Sequence, residues 1–100
     1  MKFLPDLPKT SEFNVIRYQL AKSSTSAGAN YEESQAGSSK ADFNKKIRIS
    51  LREMRESNYW LRIISATILQ NTLDEELNYL IAESEQLKKI LGSIVTKTNK

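Results

Sequence analysis

The sequence has no cysteine, which excludes disulfides, thiolate metal sites and cysteine nucleophiles. It has no histidine either, so the commonest metal ligand and the commonest general base are both missing. Three glycines and two prolines supply no phosphate-cradling loop. What remains is carboxylate, lysine, serine or tyrosine chemistry, and no two such groups are spaced as nucleophile and base. The chain is therefore expected not to be an enzyme, and no metal, cofactor or small-molecule substrate is expected. Nor does any run approach the roughly 20 apolar residues that span a bilayer. The start, Met1-Lys2-Phe3-Leu4-Pro5-Asp6-Leu7-Pro8, breaks with proline and charge before a signal-peptide core. A cytoplasmic location with no membrane partner is the expectation.

What is present suits one small domain. The chain has 100 residues, 39% of them hydrophobic and 27% charged, a thin core for its length that invites self-association. Residues 1–10 hold both prolines and are expected to be irregular. Three helices follow, at about 11–36, 40–69 and 73–96. Thr10 or Ser11 suits the first cap, and Phe13, Ile16, Leu20, Ser24, Ala27 and Tyr31 recur at helical spacing. The run Ser23-Ser24-Thr25-Ser26-Ala27-Gly28-Ala29 reads equally as a linker or as a helix whose small residues admit a close neighbour.

Gly37 suits the left-handed position after a helix end. Ser39 with Asp42, and Thr72 with Glu75, resemble capping boxes for the second and third helices. Phe43, Ile47, Leu51, Met54, Leu61, Ile64 and Ile68 make the apolar stripe of the second helix. Leu73, Leu77, Leu80, Ser84, Leu87, Leu91 and Ile94 form a coiled-coil-like seam on the third, widened by Ile81, Ile90 and Val95. No strand pattern appears, so the fold class is all-α, an antiparallel up-and-down helical bundle.

Charge is unevenly distributed. The net charge is +3, and residues 40–68 alone carry seven basic and three acidic side chains. Lys45, Arg48, Arg52, Arg55, Tyr59 and Arg62 recur at alternating spacings of three and four, one continuous basic stripe with an aromatic in it. A solvated face with local ion pairs explains it, and so does a surface that contacts phosphates, with Tyr59 stacking on a base. Ile49, Trp60 and Ile63 fall beside the main apolar stripe, where they suit an oligomer interface. Glu53 and Glu56 lie three apart, but the two-metal helical pattern pairs Glu with His, which this chain lacks.

Several stretches together resemble one family. These are Tyr18-Gln19-Leu20; Ser23-x-Thr25-Ser26-x-Gly28-Ala29-Asn30-Tyr31-Glu32-Glu33; Ser39-Lys40-Ala41-Asp42-Phe43 with Lys46; and Glu53-x-x-Glu56-x-x-Tyr59-Trp60-Leu61. In that order and spacing they are similar to the bacterial S23, or 23S rRNA intervening sequence, proteins. The likeness is dense over residues 3–70 and looser in the final helix. It implies an up-and-down four-helix bundle in which the serine-rich run is helical, and a homopentameric, barrel-like assembly. No enzymatic activity is attached to the family and its function is unknown. Its genes can lie inside intervening sequences of 23S rRNA genes, which suggests RNA or DNA as partner. A related architecture, an accessory protein of a reverse transcriptase, suggests a protein–protein adapter instead. The family's first helix should precede Lys2-Phe3-Leu4-Pro5, so three helices are expected here, with a groove in place of the fourth. Within the motif, Thr25, Ser26, Asn30, Glu53 and Glu56 either form a buried polar network between the first two helices or lie on the surface.

Overall fold

The computed structural model describes residues 9–36, 39–67 and 71–98, with side chains for 9–36, 39–66 and 75–98. Three helices follow in order: α1 (Ser11–Ser34), α2 (Lys40–Thr67) and α3 (Asn71–Thr98). The serine-rich run is therefore helix, not linker. Thr10 caps α1, its backbone extended and its hydroxyl accepting from the Phe13 N–H at 3.3 Å. Gln35 closes the helix with its N–H on the Glu32 carbonyl. Ser39 caps α2 in the same way, accepting from the Asp42 N–H at 3.1 Å. Backbone of α3 is helical from Asn71, and the capping expected of the Thr72 side chain lies outside the described residues. The expectations placed on residues 1–8, Gly37, Ile68 and the side chain of Leu73 lie outside the described residues.

The helices run antiparallel. Ser23 meets Ser57, while Ser50 meets Ala27 and Lys46 meets Glu33. Asn58 meets Ser84, while Asn44 meets Thr98. In each pair the number rises on one helix as it falls on the other. Helix α2 is the central element, packed on both α1 and α3.

Two apolar clusters fill these contacts. Leu20, Leu61, Ile64 and Leu77 form one, flanked by Phe13, Ile16, Trp60, Leu80 and Ile81. Ile47, Leu51 and Leu91 form the other, with Phe43, Met54, Ile94 and Val95 against it. The body measures 45 × 21 × 17 Å, about the length of one 28-residue helix at 1.5 Å per residue. With α1 and α3 touching α2 more than each other, an open apolar groove runs along α2 between them. Its larger cleft, about 410 Å³, is lined by Ala27, Gly28 and Tyr31 of α1, Ser50 and Met54 of α2, and Leu87, Ile90 and Leu91 of α3. A smaller one of about 160 Å³ continues it past Leu20, Leu61 and Leu80. Leu87, assigned by spacing to the buried seam, is 40% exposed, and Ile90 is 54% exposed. Both stand on the groove wall, where a fourth helix would be needed to bury them.

Candidate nucleic-acid interface

The basic stripe stands on α2 because that helix turns its apolar side inward to both neighbours and leaves one arc outward. Lys45, Arg48, Arg52, Arg55, Tyr59 and Arg62 are all exposed. From Lys45 to Arg62 the stripe is about 25 Å long at helical rise. Arg52 has a carboxylate nearby, Glu53 at 3.4 Å, and its own side chain is 73% exposed. Among the described residues, Lys45, Arg48, Arg55 and Arg62 have no carboxylate within 4.0 Å. Ion pairs among the described residues therefore do not neutralise this face. The Tyr59 ring meets Trp60 edge-on, centroids 5.2 Å apart at 70°, and 47% of Tyr59 remains exposed.

At the α3 border of the stripe lies a polar cluster that sequence reasoning missed. Asn58 is fully buried. Its amide nitrogen donates to Ser84 Oγ at 2.7 Å. Its carbonyl oxygen accepts from Arg62 Nε at 2.9 Å and from Lys88 Nζ at 3.4 Å. Lys88 also pairs with Glu85 at 3.1 Å. The Glu85 carboxyl is held below its ordinary value, chiefly by the hydrogen bond from Lys88, against a smaller opposing effect of burial. Asn58 and Arg62 project toward α3 on the same arc as Arg55, within about 60° at 100° per residue. A polar pair, Ser57-Asn58, at positions where the apolar stripe should continue was the available signal.

The inter-helix network expected of Thr25, Ser26, Asn30, Glu53 and Glu56 does not form; each of the five bonds within its own helix. Thr25 donates to the Ala21 and Lys22 carbonyls, and Asn30 donates to the carbonyl and hydroxyl of Ser26. Glu53 accepts from Arg52, and Glu56 from Trp60 Nε1 at 3.3 Å. The reason is reach: the close approach of α1 and α2 falls at the smaller, buried Ser23, Ala27, Ser50 and Ser57. There Ser23 and Ser57 hydroxyls lie 2.8 Å apart, and Ser50 donates to the Ala27 carbonyl at 2.8 Å. Ile49, Trp60 and Ile63 are all half-buried, Trp60 by packing on the Leu20 cluster. They flank α2 away from the groove, so the chain has two separate part-apolar surfaces.

No group of three or more metal-ligating side chains gathers among the described residues, and no described helix is long and apolar enough to cross a membrane. Fold and surface together define a small all-α helical-bundle protein with one basic face. The family description "23S rRNA-intervening sequence protein" matches residues 1–93, and the chain belongs to that family. It is also similar to a crystal structure from Bacteroides thetaiotaomicron, a protein of unknown function from the S23 ribosomal protein family. Identity is 34%, with 94% of this chain and 82% of that one covered at a TM-score of 0.75. No curated protein matches.

Proposed function

We propose that this chain is a non-enzymatic, self-associating helical-bundle protein that binds RNA or DNA through the outer face of α2. The observation that carries the reading is that, among the described residues, Lys45, Arg48, Arg55 and Arg62 have no carboxylate partner, four cations along one exposed helix face. Phosphate contact by such a face gives affinity without base readout. Exposed Tyr59 adds a ring for stacking on unpaired bases. Self-association is supported by the apolar groove, whose walls expose Tyr31, Leu87 and Ile90, and by half-buried Ile49, Trp60 and Ile63 on the other flank.

The test titrates labelled duplex DNA and structured RNA at low and moderate salt, with mass followed in parallel. Binding should fall steeply with salt and show little sequence preference. Five engaged cations give a slope of log K against log salt near −4.5 on duplex DNA, from about −0.9 per contact. Substituting Arg48, Arg52 and Arg55 together by serine should weaken binding to every sequence. Unchanged binding by that variant overturns the nucleic-acid reading. The groove favours a second reading, a protein–protein adapter that does not touch nucleic acid, and salt-independent absence of binding by a folded oligomer would favour it.

A further inference from the structure

We propose that Arg62 and Lys88 form a seat for one backbone phosphate at the α2–α3 border, and that the Glu85 carboxylate occupies this seat when no nucleic acid is bound. The inference rests on the nucleic-acid reading above and adds a second helix and a competing group to it. Two cations from different helices converge on one oxygen, the carbonyl of Asn58. That amide is fully buried and its nitrogen is fixed by Ser84, so the oxygen cannot rotate away. Arg62 is held through Nε on an exposed residue, so its two terminal guanidinium nitrogens remain for an anion, an edge that pairs with two phosphate oxygens. Lys88 is mostly covered, 25% exposed, yet its ammonium reaches the same oxygen.

Held in this way, both cations lose little further freedom on binding an anion. The anion already present is Glu85, 3.1 Å from Lys88. Its carboxylate also feels the charge of Arg62. Glu85 is 42% exposed and sits on a flexible side chain, so an arriving phosphate diester displaces it by rotation alone. Arg55, two turns from Arg62 on the same face and with no carboxylate within 4.0 Å among the described residues, connects the seat to the rest of the stripe.

The experiment compares Glu85→Gln with Glu83→Gln, an exposed carboxylate on the groove side of the same helix. Both remove one negative charge. Glu85→Gln should bind duplex DNA or structured RNA at least about threefold more tightly, with a salt slope steeper by about 0.9 on duplex DNA. Glu83→Gln should stay within about twofold of the parent, its charge being screened over about 10 Å. Adding Lys88→Gln to Glu85→Gln should return affinity to the parent level. Circular dichroism on each variant confirms retained helix. Equal effects of Glu85→Gln and Glu83→Gln overturn the seat, as does persistence of the gain without Lys88. The stripe reading fails separately, when the Arg48, Arg52 and Arg55 serine variant binds like the parent. Competition by inorganic phosphate as strong as by an oligonucleotide at equal ionic strength assigns the seat to a free anion and overturns a backbone ligand.

Discussion

Ser23 and Ser57 face each other across α1 and α2 with their hydroxyl oxygens 2.8 Å apart, both residues buried. Each also has a carbonyl of its own helix within reach, Leu20 for Ser23 and Glu53 for Ser57. A hydroxyl has one proton, so one serine donates across the interface while the other donates to its backbone. Ser57→Ala should cost about 0.5–1.5 kcal/mol. Pairing it with Ser23→Ala should cost less than the two separately, because each lone hydroxyl falls back on its carbonyl. Ser23→Leu should be worse than either, by about 1–3 kcal/mol, since the helices approach too closely for the added carbons. Chemical denaturation of the parent and the four variants measures this, and strict additivity would sink the shared-proton account.

Asn58 gives a sharper contrast. Removing its amide by Asn58→Ala leaves Ser84 still donating to the Ile81 carbonyl, but opens a void and releases Arg62 and Lys88. A loss of about 1–3 kcal/mol is expected. Asn58→Leu refills the void, and because Arg62 and Lys88 both reach water, it should recover most of that loss. Thermal melts decide between them. A leucine variant no better than alanine would mean that the hydrogen bonds, not the packing, hold this seam.

Acid should loosen the fold through two carboxylates. Glu12 is held below its ordinary value of 4.5, first by a backbone hydrogen bond in the first turn of α1 and then by Thr10. Glu85 is lowered chiefly by Lys88. A lowered native value means the unfolded chain binds protons more readily, so their contribution is complete above the ordinary carboxylate range. It is lost as pH falls through the native values. Lys46 has the opposite sign: raised by Glu33, 2.7 Å away, it contributes fully below 10.5 and is lost as pH rises beyond that. Melting temperature should therefore be flat from about pH 6 to 9 and fall toward pH 3. Glu12→Gln with Glu85→Gln should flatten that acid limb. An unchanged acid limb would place the sensitivity elsewhere.

The three helices of the described residues, their order and both early caps were legible because apolar spacing and capping chemistry are local. The stripe was legible too, since residues three and four apart on a helix share a face wherever the helix packs. Whether its charges were paired was not legible, because that depends on what α1 and α3 bring near. The polar contacts failed for the same reason. Asn30 and Glu53 look like partners by type, yet the interface formed where Ser23, Ala27, Ser50 and Ser57 are small enough to let helices touch. Leu87 follows a perfect seam spacing and is still 40% exposed, since spacing says which face is apolar and not whether anything covers it.

Gly28 distinguishes an open groove from a filled one. It lies on the groove wall, and a methyl group added there meets nothing within 4 Å, as at Gly92. In a monomer with the groove open, Gly28→Ala should stabilise by about 0.5–1 kcal/mol, the ordinary gain of alanine over glycine inside a helix. Gly92→Ala is the control for that gain. If a helix of a second copy seats on the wall, the glycine admits close approach and the methyl opposes it. Gly28→Ala then lowers the mass measured by sedimentation while Gly92→Ala leaves it unchanged. Replacing Leu87 and Ile90 by lysine should have the same effect on mass without loss of helix. A parent that associates equally well with all these substitutions is using the other flank. In that event Ile49→Asp with Ile63→Asp should dissociate it.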